Sequence, residues 1–368
     1  MSQRRAVALA AGGTAGHVMI ALAIAEAFER AAPDIEIVFL GACHGTESTL
    51  VPARGFRLEL LPGAPFQRQR LGGKLEALRQ AANGLAQARK LLAAHSAQLV
   101  IGTGGYASLG ALAAARSLGL ATALHEANAA PGLANRLLGR IVDRVYLSSE
   151  SATPSFPAGR CLVTGTPLRA QIARLDGRAK PPPPRDRPAR VLVTAGSEGS
   201  LFLDREVPRL LGHVARLGVE VEARHQVGMG DPGRVRDAYA SYGVAATIVR
   251  FIDDMDGGYD WADLVIACCG AGTVAELAIV GLPALLVPLA GASADHQRRN
   301  AEVYAEAGGA WIVPEGAWRA EDVGARTVEI LRDPEAWSEA CLSVRRLAMP
   351  NAADTLVSDC ADWMIGRW

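Results

Sequence analysis

The stretch Ala6-Val7-Ala8-Leu9-Ala10-Ala11-Gly12-Gly13-Thr14-Ala15-Gly16-His17 joins an apolar run to a glycine-rich turn, and the residues beyond it, Val18 to Arg30, follow a helical pattern. Strand, tight turn and helix in this order make the first βα unit of a parallel sheet covered on both faces. Glycines at the turn let backbone N–H groups approach a ligand closely, and the helix adds its positive dipole end, so phosphate is the natural guest. His17 stands beside that guest, and an imidazole titrates close enough to neutrality to take a proton from a hydroxyl. The same histidine can instead cap the helix. Gly12, Gly13 and Gly16 run G-G-x-x-G, which is not the dinucleotide fingerprint, and no Walker lysine follows.

Strand and helix patterns keep alternating. Strands are expected at Val7–Ala10, Ile35–Leu40, Leu99–Gly102, Ala121–His125, Arg144–Leu147 and Cys161–Gly165, with helices near Val18–Arg30, Gly73–His95, Ser108–Leu118 and Leu133–Ile141. A second series follows at Val191–Ala195, Val219–His225, Ala246–Phe251, Leu264–Ala267, Ala284–Pro288 and Ala310–Val313. Between them Pro181 to Pro184 and Pro188 sit among charged residues, a composition that favours an extended spacer. The expected fold class is α/β, two doubly wound parallel-sheet domains with their ligand crevices at the carboxyl ends of the strands, bordering one cleft. The expected boundaries are 1–168, a linker at 169–190, 191–348, and a C-terminal helix at 349–368 that packs back on the N-terminal domain.

A length of 368 residues suits two such domains, and 38 basic against 38 acidic residues give no bulk attraction to nucleic acid. Six scattered cysteines without a C-x-x-C pair fit a reducing compartment, and Cys268-Cys269 reads as buried small residues. No segment reaches the ~18 uninterrupted apolar residues of a membrane-spanning helix. The stretch Phe66 to Arg89 carries Arg68, Arg70, Lys74, Arg79 and Arg89 with Leu71, Leu75, Leu78 and Leu85, which suits either an anionic lipid surface or an ordinary covering helix.

Chemistry-bearing residues cluster at the expected strand ends. Gly270-Ala271-Gly272-Thr273-Val274-Ala275-Glu276 is a second anion-binding turn, with Glu276 suited to a ribose diol or simply to the helix dipole. Gln297 and Asn300, three apart on a helix, share a face and suit one sugar; His296 is an alternative base that points off that face. Gly102-Thr103-Gly104-Gly105-Tyr106 and His125-Glu126-Ala127-Asn128 end two strands of the first half, and Arg169 follows Thr166-Pro167-Leu168. Glu126 and Asn128 are either turn formers or hydroxyl contacts.

Taken together these segments, with Pro131 to Asn135, Gly196-Ser197-Glu198-Gly199 and Phe251 to Met255, resemble the MurG family of GT-B glycosyltransferases over nearly the whole chain. The resemblance implies inverting transfer of N-acetylglucosamine from UDP-N-acetylglucosamine (UDP-GlcNAc) to the C4 hydroxyl of the muramoyl sugar of lipid I, giving lipid II for peptidoglycan. It implies no metal or other cofactor, and a peripheral position on the cytoplasmic face of the inner membrane. It implies that the backbone at Ile252 reads uracil and that Glu276 takes the ribose. Ser197 with Ala271, Gly272, Thr273, Val274 and Ala275 would hold the diphosphate, and Gln297 with Asn300 the sugar. Thr14, Ala15, Gly16, Asn128 and Arg169 would close on the donor. Gly13, Gly16, His17, Gly104, Gly105, Tyr106 and Glu126 would serve the acceptor, with His17 the base. Asp253-Asp254, a possible divalent-ion pair, falls where the resemblance places the uracil loop.

Several positions depart from the family pattern: Ala15 for glycine, Ala127 for glutamine, Thr166 for asparagine, Glu198 for glutamine, and Cys268-Cys269 for an arginine and a small residue. A lost guanidinium and an added carboxylate each weaken anion binding where they are desolvated. The alternatives are a related UDP-sugar transferase with another acceptor and a catalytically weak nucleotide-binding or scaffold protein.

Overall fold

The computed structural model describes residues 5–42, 45–61, 74–291 and 295–364. It divides into two compact units, Met1–Arg169 with Asn351–Trp368, and Ala170–Pro350.

In the first unit β1 (Ala6–Ala11), β2 (Glu36–Ala42), β3 (Arg57–Leu61), β4 (Ala97–Gly104), β5 (Ala121–Glu126), β6 (Arg144–Leu147) and β7 (Cys161–Val163) form one sheet in the order β3-β2-β1-β4-β5-β6-β7. All its neighbours are parallel. Its helices are α1 (Ala15–Ala31), α2 (Glu47–Ala53), α3 (Lys74–Ala94), α4 (Gly105–Ser117) and α5 (Leu133–Leu138). Every residue of β1 is buried, as an interior strand covered on both faces requires. Ala8, Val38 and Val100 of the sheet share one core with Leu92 of α3 and Leu112 of α4.

The second unit repeats the plan. After α6 (Ala170–Ala173), β8 (Ala189–Thr194), β9 (Val221–Gln226), β10 (Ala245–Val249), β11 (Leu264–Ala267), β12 (Ala284–Leu286) and β13 (Ala310–Ile312) make a parallel sheet in the order β10-β9-β8-β11-β12-β13. Around it lie α7 (Leu201–Arg216), α8 (Pro232–Ser241), α9 (Met255–Trp261), α10 (Ala271–Val280), α11 (His296–Glu306), α12 (Ala320–Arg332) and α13 (Pro334–Arg345). Asp231 and Asp333 accept backbone N–H bonds ahead of Pro232 and Pro334, so local chemistry starts α8 and α13. In each sheet the winding reverses once, between β1 and β4 and between β8 and β11, and ligand crevices of doubly wound sheets open at such points.

The α/β class agrees with the sequence reading, and the differences are local. Strand β3 and helix α2 carry weak sequence signals: β3 is a half-exposed edge strand, and α2 is seven residues long with Pro52 inside it. Helix α1 starts at Ala15 instead of Val18, because Thr14 has the extended backbone of an N-cap (φ −122°, ψ 150°). The stretch 169–190, read above as a spacer, is tied to the second unit. Arg187 makes a bidentate pair with buried Asp263 at 2.7 and 3.0 Å. Lys180 Nζ donates to the carbonyls of Tyr259 and Asp260 at 3.1 and 2.7 Å and also to that of Ala262.

The last helix, α14 (Ala352–Trp363), packs on α1 and completes the first unit. Its Leu356 and Cys360 are fully buried. Asp359 accepts two bonds from Arg144 of β6, both 2.9 Å, and one from the Tyr146 hydroxyl at 2.9 Å. Trp363 Nε1 donates to the same hydroxyl at 3.1 Å. Removing one partner of such a pair strands the other, so Asp359→Ala is expected to cost about 2–4 kcal/mol. Urea titration of the whole chain, followed by far-UV dichroism, checks this; an unchanged midpoint would show that α14 holds by apolar packing alone.

Candidate active site

Each unit carries one cluster of polar and glycine-rich backbone at the carboxyl ends of its strands. In the first unit the turns after β1 and β4 interlock. Gly105 has φ +79°, and a Cβ there would lie 2.0 Å from the Gly12 carbonyl oxygen; Gly104 has φ +118°, and its Cβ would lie 2.7 Å from His17 Nε2. Only glycine at both places lets the backbones approach this closely. Ser108 binds the turns together: its hydroxyl accepts from Gly104 N–H at 3.0 Å and shares its proton between the carbonyls of Ala10 and Gly104 at 2.7 and 2.6 Å.

His17 therefore sits in the first turn of α1, above Gly104. Its Nδ1 lies 3.4 Å from the Gly12 carbonyl oxygen and 3.3 Å from Thr14 Oγ1. Donation from Nδ1 to that carbonyl leaves Nε2 as the ring's proton-accepting nitrogen, whereas donation from the Thr14 hydroxyl makes Nδ1 the acceptor. Thr103 Oγ1 donates to the His17 carbonyl at 2.9 Å and fixes the residue to β4. Ala15 is the first helical residue and has no positive φ, so its departure from glycine fits the backbone. Gly13 (φ +91°) and Gly16 are exposed. The side chain of Tyr106 lies outside the described residues, as do residues 66–73 and the side chains of 74–81 in the basic stretch.

A residue the sequence reading missed underlies this turn. Glu47 of α2 is 1% exposed; its Oε1 accepts from Ala42 N–H at 2.9 Å, and a Cβ on Gly12 would lie 2.7 Å from it. The carboxylate fills the space that three glycines, Gly12, Gly41 and Gly45, leave open. Nothing in the sequence near Glu47 signals that placement.

At the end of β5, Glu126 acts inward. Its Oε1 accepts from Asn128 N–H and Nδ2 at 2.8 and 3.1 Å, and Oε2 from Asn135 Nδ2 at 2.8 Å. Burial raises its carboxyl pKa, against the pull of those donors. Beside it His125 is fully buried and donates from Nε2 to the Gly165 carbonyl at 3.2 Å. Burial chiefly, with the neighbouring His17 charge, brings its pKa from 6.5 to about 4, so it is uncharged at neutral pH. Thr166, which departs from asparagine, donates to Ser148 at 2.8 Å and closes this network.

In the second unit the turns after β8 and β9 lie back to back. Gly199 (φ +78°) leaves no room for a Cβ, which would stand 2.1 Å from the Val227 carbonyl oxygen. Gln226 joins the cluster: Nε2 donates to the Gly196 carbonyl at 2.6 Å and Oε1 accepts from Ile252 N–H at 2.9 Å. Ile252 thus has its carbonyl to offer a ligand. Asp254 Oδ1 accepts from Gly257 N–H at 3.0 Å and caps α9. Glu276 Oε2 accepts from the buried Tyr259 hydroxyl at 2.8 Å. Gln226 and Tyr259 were both missed; a polar residue ending a strand was the one available signal for Gln226.

Helix α10 points its N-terminus, Ala271 to Thr273, out of the β11 turn, and residues Ala271 to Glu276 are half-buried. Gln297 Oε1 accepts from the backbone N–H groups of Cys269 and Leu289 at 3.2 and 2.9 Å, and buried Asn300 donates to the Cys269 carbonyl at 3.1 Å. Both amides brace the turn, and Gln297 has its Nε2 group to give a ligand. Burial drives the Cys268 thiol up to about 12 and the Cys269 thiol higher, so neither carries charge at neutral pH. Glu198 is exposed, where solvent screens its carboxylate. Ser197 and Arg169 are half-buried.

Two family profiles match the chain: the glycosyltransferase family 28 N-terminal domain at residues 7–147 and its C-terminal domain at residues 190–355. The chain belongs to glycosyltransferase family 28, and within it to the MurG family. It is 35% identical over 351 residues, 95% of this chain and 96% of the relative, to the UDP-N-acetylglucosamine–N-acetylmuramyl-(pentapeptide) pyrophosphoryl-undecaprenol N-acetylglucosamine transferase of Geobacter metallireducens. It is 37% identical to the protein of the same name from Nitratidesulfovibrio vulgaris, covering 96% of each chain. The crystal structure of Acinetobacter baumannii MurG superposes with a TM-score of 0.77 at 28% identity, covering 96% of this chain and 98% of that one.

The depressed His125 pKa carries a stability signature. Unfolded histidine binds a proton below about 6.5 while the folded one resists until about 4, so the unfolded state binds more protons in that window. Stability from this group is full above pH 6.5 and is lost as pH falls toward 4. Melting temperatures at pH 7 and pH 5 are expected to differ less in His125→Gln than in the parent chain; an identical pH slope would contradict the burial argument.

Proposed function

We propose that this chain transfers N-acetylglucosamine from UDP-GlcNAc to the C4 hydroxyl of the N-acetylmuramoyl sugar of lipid I, forming lipid II, with inversion. The observation that carries the reading is the placement of His17: a half-buried imidazole whose Nδ1 lies 3.4 Å from the Gly12 carbonyl oxygen, at a glycine-rich strand-to-helix turn of a chain in this family. In this reading Nε2 takes the acceptor hydroxyl's proton as that oxygen attacks the anomeric carbon and the bond to UDP breaks.

The second unit's residues carry the leaving nucleotide. The Ile252 carbonyl suits the uracil N–H, Glu276 the ribose, and Ser197 with the α10 N-terminus, Ala271 to Thr273, the diphosphate. With Cys268 neutral, fixed N–H groups and the helix dipole supply the positive potential there. Gln297 and Asn300 support the sugar side through Cys269. Gly13, Gly16, Gly104, Gly105, Tyr106 and Glu126 serve the acceptor, Glu126 by holding Asn128 and Asn135. Thr14, Ala15, Gly16, Asn128 and Arg169 complete the donor contacts.

Incubation with UDP-GlcNAc and a lipid I analogue is expected to release UDP and yield the disaccharide; neither product would overturn the proposal. His17→Ala is expected to lower kcat by about 10² or more, the usual worth of a general base, whereas Glu276→Ala raises the donor KM.

The peripheral membrane position is likewise proposed, at the cytoplasmic face of the plasma membrane. No described helix is long and apolar enough to cross a membrane. On α5 and just beyond, Leu133, Leu137 and Ile141 are 70%, 50% and 43% exposed and follow helical spacing, with Arg136 and Arg140 exposed between them. An apolar stripe flanked by guanidinium groups suits an anionic lipid surface. Leu137→Glu is expected to reduce sedimentation with phosphatidylglycerol vesicles several-fold and leave turnover of a soluble acceptor analogue unchanged; equal sedimentation would move the contact elsewhere.

A further inference from the structure

Phenylalanine would fill the core at Tyr259 equally well, and what the tyrosine hydroxyl adds is a bond to Glu276. The ring is 1% exposed, and its O–H donates to Glu276 Oε2 at 2.8 Å. Glu276 itself is half-buried on α10, near the helix start. A glutamate side chain has three torsions, and the last is broad, so its carboxylate plane turns easily unless a neighbour fixes it. Tyr259 is such a neighbour, and it comes from another element.

That element is itself held at both ends. Asp254 caps the first turn of α9, two residues after Ile252, and Lys180 Nζ binds the carbonyls of Tyr259 and Asp260 at its far end. Gly258 of this helix is buried and faces the side chains of Ile252 and Leu192. One short rigid helix therefore ties the backbone at Ile252 to the orientation of the Glu276 carboxylate.

We propose that Tyr259 is a positioning residue that sets the Glu276 carboxylate for the ribose diol of the donor, and that it thereby gives the enzyme its preference for a ribonucleotide over a 2′-deoxyribonucleotide donor. This rests on Glu276 being the ribose contact. A charge-assisted bond from the phenol locks one oxygen, so the second oxygen keeps one direction toward the hydroxyls. Losing that bond removes one of the contacts that set the carboxylate plane, which weakens binding in the ground and transition states alike.

The test compares UDP-GlcNAc with its 2′-deoxyuridine counterpart in the parent chain, Tyr259→Phe, Glu276→Ala and the double variant. Tyr259→Phe keeps the buried ring. It is expected to raise the KM for UDP-GlcNAc about tenfold with kcat changed less than about twofold, and to shrink the ribose preference by a similar factor. In the Glu276→Ala background the same substitution is expected to change nothing further. Titration of UDP against 2′-deoxy-UDP reads the same ratio without turnover. If Tyr259→Phe slows both donors equally, the hydroxyl is merely structural and the inference falls, while the Glu276 reading stands. If Glu276→Ala leaves the ribose preference intact, the Glu276 reading itself falls and takes the inference with it.

Discussion

The approach of Gly105 to the Gly12 carbonyl is the contact on which the first unit's chemistry depends. Two backbones meet where any side chain would stand 2.0 Å from an oxygen, at the place where strand order reverses. The meeting seats His17 over Gly104, with Thr103 tying β4 to α1 and Ser108 joining the ends of β1 and β4, and it brings Nδ1 to 3.4 Å from the Gly12 carbonyl oxygen. Glu47 backs the same turn from below. The imidazole's seat is thus a consequence of packing two glycine turns together.

The second unit solves the corresponding problem with different parts. Its turns interlock through Gly199 and Gly228, and amide side chains do the bracing: Gln226 spans Gly196 and Ile252, while Gln297 and Asn300 clamp Cys269. Neutral amides supply both donors and acceptors to backbone without adding charge. Where the family pattern has an arginine this chain has Cys268, buried and uncharged, so in the proposed reading oriented N–H groups and the α10 dipole are what attract the anion. Glu198, the other departure, is exposed and its field is screened.

Much of the site was legible because glycine-rich turns at strand ends have a chemical signature of their own. His17, Gly104, Gly105, the Gly270 turn and Glu276 were singled out as candidates that way. The roles of Glu126, Gln297 and Asn300 were not fully legible: each suits a ligand hydroxyl on paper, and in the fold each also holds backbone or neighbouring amides. Gln226, Tyr259 and Glu47 escaped notice because their partners are 26, 17 and 5 residues away along the chain, respectively, and no local pattern marks such pairings.

The sequence by itself determined the α/β class, the two series of strands and the positions of the turns, since period, apolar runs and glycine are properties of neighbouring residues. Only the tertiary structure decided that Asp359 with Arg144 and Tyr146 is the anchor of α14, that Lys180 and Arg187 bind the proline-rich stretch to the second unit, and that His125 is held neutral beside His17. The reason is physical: burial, tautomer and the orientation of a carboxylate are set by atoms that meet across the fold, and the chain's order does not encode those distances.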